Sequence, residues 1–219
     1  MVVTLLSFFL DGPTGKLEAL LNQGTADAKY AALICHPHPA GGGTMHNKVV
    51  YHAMKTLHGL GLPVLRFNFR GVGASEGEHD GGHGEQDDVR TALDWLTAEF
   101  GKPILFTGFS FGSAVGMRAC CPDPRVPGLV ALGVPAAHDT RRYEYPWLAS
   151  CDKPKLFVSG SQDEYGPKAE VEEIVARAAG ENTLVWVPEA DHFFQSADGP
   201  KLAEMQQALE GWIRAHFLL

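Results

Sequence analysis

The stretch Pro103-Ile104-Leu105-Phe106-Thr107-Gly108-Phe109-Ser110-Phe111-Gly112-Ser113-Ala114-Val115-Gly116-Met117 decides the reading of the whole chain. Its first half is a short apolar run that suits a buried strand. From Phe111 to Cys120 apolar residues repeat at helical spacing. Between the two, Gly108 and Gly112 stand two residues either side of Ser110, which places the serine on a strand-to-helix turn too tight for side chains beside it. A hydroxyl held there stands above the sheet. The helix N-terminus beneath it offers backbone N–H groups and a positive dipole end to a developing oxyanion. A second Gly-x-Ser-x-Gly, at residues 73–77, is followed by more Gly, His and Asp and by no helix. Ser75 is therefore read as bracing a loop.

Outward from this hinge the same rhythm recurs. Residues 31–35, 64–69, 129–134, 156–159 and 184–187 are short apolar runs of the kind that strands covered on both faces require. Residues 47–60, 85–100, 168–179 and 200–217 carry helical periodicity. Upstream, the apolar residues 1–10, the turn formers at 11–15 and the apolar positions of 17–21 predict an antiparallel hairpin. The expected fold is α/β, a mostly parallel doubly wound sheet with an N-terminal antiparallel hairpin, formed by residues 1–219 as one domain. Ligands bind such sheets outside the carboxyl ends of the strands.

Composition excludes several function classes. At 219 residues, 45% hydrophobic and 20% charged, the chain reads as an ordinary globular protein, and its net charge of −8 argues against nucleic-acid and basic-patch membrane partners. The apolar N-terminus lacks a basic region and a cleavage site. Cys35, Cys120, Cys121 and Cys151 show no metal-ligand spacing, and adjacent cysteines on a helix do not bridge each other easily. Free thiols in a cytoplasmic protein are the expectation.

A serine nucleophile needs a base, and the base an orienting acid, in the chain order Ser, acid, His. The run ending at Ser159 leads into Gly160-Ser161-Gln162-Asp163, which sets Asp163 just past a strand end. The next run leads into Pro188-Glu189-Ala190-Asp191-His192-Phe193-Phe194, which sets His192 in a loop before the last helix. Asp191 is a weaker candidate acid, because neighbouring side chains seldom point at each other. The candidate catalytic residues are Ser110, Asp163 and His192. One oxyanion N–H is expected from Phe111 and one from the loop His36-Pro37-His38-Pro39-Ala40-Gly41-Gly42-Gly43, where prolines lack the donor. His38 is the first choice there, and the residues from Ala40 and Gly41 onward are the fallback. The many histidines of this region lack zinc-site spacing, so no metal and no cofactor are expected.

These residues resemble the small serine hydrolases of the α/β-hydrolase superfamily, near the dienelactone-hydrolase and carboxylesterase-like bacterial proteins. The resemblance rests on His36-Pro37-His38-Pro39 with Gly42-Gly43-Thr44-Met45 and Asn47-Lys48, on Phe67-Asn68-Phe69-Arg70-Gly71-Val72-Gly73, on the Ser110 turn, and on Ala190-Asp191-His192-Phe193-Phe194. A dienelactone hydrolase proper carries a cysteine at the nucleophile position, where this chain has Ser110. The resemblance implies an α/β-hydrolase fold and cleavage of a small-molecule ester through an acyl-enzyme; a monomer or homodimer is expected. Only residues 135–154 separate the sixth and seventh strands, so the cap is minimal and the acyl chain short. Met45, Tyr143, Tyr145, Trp147 and Phe193 are expected around the substrate pocket. Thioester or small-amide hydrolysis on the same site, and a non-catalytic binding protein that keeps the fold, are the alternatives.

Overall fold

Alternate residues of a strand face opposite sides of a sheet, and here both sides are covered. The computed structural model describes residues 5–138 and 141–218. Eight strands form one sheet: β1 (Leu5–Gly12), β2 (Gly15–Asn22), β3 (Ala31–Cys35), β4 (Val64–Phe67), β5 (Ile104–Phe109), β6 (Gly128–Leu132), β7 (Lys155–Gly160) and β8 (Asn182–Val187). Their order is β1-β2-β4-β3-β5-β6-β7-β8. The β1–β2 hairpin joins β4 antiparallel, and every later pairing is parallel. This is the doubly wound sheet with an N-terminal hairpin that the periodicity predicts.

Helices α1 (Lys48–Gly59) and α5 (Leu202–Ile213) pack on one face, against Ile34, Leu105, Phe109, Val130 and Val158. On the other face α2 (Glu85–Phe100), α3 (Phe111–Cys120) and α4 (Lys168–Ala176) cover Leu33, Phe67, Phe106, Leu129 and Phe157. The helix expected over 168–179 stops at Ala176, and Asn182 Nδ2 donates to the carbonyl of Ala178 at 2.9 Å beyond its end. Between β6 and β7 the chain makes only a small ribbon, Ala137–His138 with Arg141–Arg142, and one turn of 3-10 helix at Pro146–Ser150. Among the described residues no helix is long and apolar enough to cross a membrane.

The four cysteines are not all free thiols, contrary to expectation. Cys121, just past α3, is disulfide-bonded to Cys151, ahead of β7, with the Cα atoms 5.7 Å apart. Adjacency in sequence disfavours a Cys120–Cys121 bridge but says nothing about a partner 30 residues away. Only Cys35 and Cys120 are free, and both are buried. Burial pushes their thiols up, which keeps them protonated and unreactive. The thiol argument for a cytoplasmic location falls with the pairing.

Candidate active site

The turn between β5 and α3 explains the glycine spacing in atomic terms. A Cβ on Gly108 would lie 2.5 Å from the Gly112 carbonyl oxygen, and one on Gly112 would lie 2.4 Å from that of His36. Ser110, pinned between them, adopts φ 54°, a left-handed conformation that costs a non-glycine residue energy and is held only by surrounding structure. Ser110 carbonyl oxygen accepts the Ser113 hydroxyl at 2.7 Å, which braces the turn from inside the helix.

Ser110, His192 and Asp163 come together at the carboxyl ends of β5, β7 and β8. His192 Nε2 lies 2.8 Å from Ser110 Oγ, and its Nδ1 lies 2.8 and 3.0 Å from the two oxygens of Asp163. Asp163 Oδ1 also accepts the N–H groups of Tyr165 and Gly166, at 2.8 and 3.0 Å. These donors converge on a carboxylate fully removed from water and fix its aim at the imidazole. Since Asp163 accepts at Nδ1, that nitrogen carries the proton and Nε2 presents its lone pair to the serine. The imidazole is gripped by rings: Tyr165 at 4.5 Å, Phe109 at 5.1 Å and Phe193 at 5.2 Å between centroids. Asp191 does something else. Its Oδ1 accepts the N–H groups of Phe193 and Gln195, both at 2.8 Å, and so shapes the loop that carries His192.

Phe111, the first residue of α3, has no intrahelical acceptor for its N–H. The facing loop is folded onto itself. Ala40 N–H donates to His38 Nδ1, the N–H groups of Gly41 and Gly43 donate to the His38 carbonyl, and Gly42 N–H donates to that of Pro39. Every fallback donor from Ala40 to Gly43 is thus engaged within the loop. His36 anchors this loop to the chain after β4: Nδ1–H donates to the Pro37 carbonyl at 2.7 Å, and Nε2 accepts the Phe69 N–H at 3.0 Å. Burial lowers its pKa to about 4, so it stands neutral. Asn68 Oδ1 accepts the Met45 N–H and Arg66 Nη1 donates to the Met45 carbonyl. Ser75 braces, as read from sequence, donating to the Asn68 carbonyl and accepting the Glu18 N–H.

A cleft of about 110 Å³ over Ser110 is lined by Pro37, His38, Asn47, Tyr165, His192 and Phe193, together with Gly41 to Gly43. Of the five residues expected around the pocket, Phe193 alone lines it. Met45 is buried at 1% exposure behind the loop. Tyr143 and Tyr145 line a separate cavity of about 400 Å³ between the small cap and α4, and Trp147 packs against the core nearby. The reason is the wall formed when Ala136 N–H donates to the Tyr165 carbonyl and Tyr145 hydroxyl donates to that of Pro135. Tyr165 and Asn47 line the cleft without being among the residues expected there, although Tyr165 follows Asp163 by two residues and Asn47 caps α1. No group of three or more His, Cys, Asp or Glu side chains able to hold a metal ion occurs among the described residues.

The family model for the alpha/beta hydrolase domain matches residues 30–214, from the start of β3 to the end of α5. The chain belongs to that family. An alpha-beta serine hydrolase homologue from Coxiella burnetii is 34% identical, with a TM-score of 0.84 over 97% of this chain and 99% of that one. A lidless a/b serine hydrolase from Xanthomonas campestris is 33% identical, with a TM-score of 0.83 over 98% and 96%. An uncharacterized protein of Rickettsia prowazekii is 34% identical across 94% of this chain and 87% of its own length. The fold is also that of Est1E from Butyrivibrio proteoclasticus, at 17% identity and a TM-score of 0.83.

Proposed function

We propose that this alpha/beta hydrolase cleaves small carboxylic esters with short acyl chains through an acyl-enzyme. The observation that carries the reading is the unbroken line of hydrogen bonds from Ser110 Oγ through His192 to Asp163. His192 Nε2 takes the proton of Ser110 as Oγ attacks the ester carbonyl carbon. Negative charge gathers on the carbonyl oxygen, where the N–H groups of Phe111 and His38 hold it. The protonated Nε2 then hands its proton to the leaving alkoxide oxygen, and an alcohol departs. A water, losing its proton to the same nitrogen, attacks the acyl carbon, and the proton returns to Ser110 as the acid leaves. Asp163 keeps Nδ1 protonated throughout and stabilises the imidazolium in each half-reaction.

Cleft size supports the short acyl chain. At about 110 Å³ it falls well below the ~300 Å³ at which sites for drug-sized ligands begin. The test is an acyl-length series of p-nitrophenyl esters with the wild-type chain and Ser110→Ala. Acetate and butyrate should be turned over with a steep fall at longer chains, and the variant should lose on the order of 10⁴-fold or more in kcat. A fluorophosphonate should label Ser110. Absence of that adduct, with full activity in Ser110→Ala, would remove the assignment.

A further inference from the structure

The outer edge of β1 carries no protection from Leu5 to Leu10. Gly12 pairs with Gly15 across the two-residue loop Pro13-Thr14, and Pro13 has no N–H, so the closing pair is a hydrogen-bonded one. From there alternation gives the phase. Even-numbered residues of β1 bond to β2, and the N–H and C=O groups of Leu5, Ser7, Phe9 and Asp11 point away from the sheet. The far side of β2 has the matching phase, because Glu76 N–H donates to the Lys16 carbonyl and Asn68 N–H to that of Glu18, both at 2.8 Å. Among the described residues no strand pairs with the outer edge.

Exposed edges are ordinarily blunted by a charge, a proline or a bulge. Leu5-Leu6-Ser7-Phe8-Phe9-Leu10 contains none of the three, and its ladder with β2 runs without a bulge. On one side Phe8 packs on Trp95 of α2, at 4.6 Å between centroids. On the other, Leu5 and Phe9 are 53% and 50% exposed.

We propose that the chain forms a homodimer in which β1 of one protomer pairs antiparallel with β1 of its partner about a two-fold axis at Ser7. A two-fold perpendicular to a sheet keeps each residue on its own face, so opposed residues must have the same parity. Centring it on Ser7 sets Leu5 against the partner's Phe9, Ser7 against the partner's Ser7 and Phe9 against the partner's Leu5. These are the residues whose main-chain groups point outward. The register therefore satisfies the main-chain groups of Leu5, Ser7 and Phe9 and covers the exposed side chains of Leu5 and Phe9 together, and no charge lies between Leu5 and Leu10 to oppose it. A second copy fits this surface because the pattern is its own complement.

Sedimentation velocity on the full chain tests this. Wild type should sediment at twice the 23.7 kDa chain mass. Ser7→Lys places two ammonium groups opposite each other at the axis and should give monomer. Phe9→Glu should weaken the dimer by about tenfold or more, and combining it with Leu5→Lys should restore the dimer, since each introduced ammonium then faces the partner's introduced carboxylate. All three positions are exposed, and unchanged circular dichroism checks that the variants fold. A monomeric wild type, a dimer that Ser7→Lys leaves intact, or an open series of oligomers from β1 meeting the opposite edge β8 would each overturn the proposal.

Discussion

Asp163 and Asp191 are two carboxylates on neighbouring loops with different tasks. Asp163 faces His192 Nδ1, whereas Asp191 spends its oxygen on the main chain of Phe193 and Gln195. Asp163→Asn should therefore leave the fold intact and lower kcat on p-nitrophenyl acetate by roughly 10³–10⁴-fold, because the amide favours the wrong tautomer of His192. Asp191→Asn still offers an accepting oxygen to both N–H groups and should cost under about tenfold, a small loss of positioning. Equal losses would mean that the acid has been misassigned. His36 acts on stability instead. Its pKa falls from 6.5 to about 4 on folding, so between those values the unfolded chain takes up a proton that the folded chain refuses. The stability it protects is whole above pH 6.5 and declines by about 3 kcal/mol as pH falls to 4, flattening below. Urea unfolding from pH 7 to 4 should show a steeper decline for wild type than for His36→Gln, which has no such proton to bind.

At the level of elements, the β5–α3 turn separates two kinds of glycine. Gly112 is wedged against the carbonyls of Cys35 and His36, while a Cβ on Gly41 would meet nothing within 4 Å. Gly112→Ala should lower unfolding free energy by roughly 3 kcal/mol, at the upper end for overpacking, and Gly41→Ala should change it by less than about 0.5 kcal/mol. Denaturant midpoints measured side by side decide this. The same turn shows why so much of the fold was readable. Strands β3 to β7 are covered on both faces and so leave continuous apolar runs, and the chain order of strand ends is enough to bring Asp163 and His192 to Ser110. Distances across elements leave no such trace. Tyr143 and Tyr145 sit close in sequence to the strand ends that frame the cleft, yet a hydrogen bond from Ala136 to Tyr165 puts a wall between them and it. Tyr165 enters the site because its own N–H serves Asp163, a role that depends on the turn it completes.

Across the whole molecule, the Cys121–Cys151 bridge ties the end of α3 to the segment ahead of β7, and so encloses β6 and the entire small cap. Nothing in the spacing of the cysteines announced it, because the partners meet only after β6 has been inserted beside β5. Closing a loop of 30 residues removes entropy from the unfolded chain, and the loop-closure relation gives about 3–4 kcal/mol of stabilisation. The two ends are also held independently, since Lys153 Nζ donates to the Cys120 carbonyl at 2.8 Å. Breaking the bridge should therefore destabilise the native state chiefly through the unfolded one, leaving the line from Ser110 to Asp163 in place. A thiol reductant should lower the unfolding free energy of wild type by up to about 3–4 kcal/mol while p-nitrophenyl acetate turnover below the transition stays within about twofold. The double variant Cys121→Ser with Cys151→Ser should match the reduced protein and ignore the reductant. If wild type is equally indifferent, the two thiols are not joined in solution, and the free-thiol reading of the sequence returns.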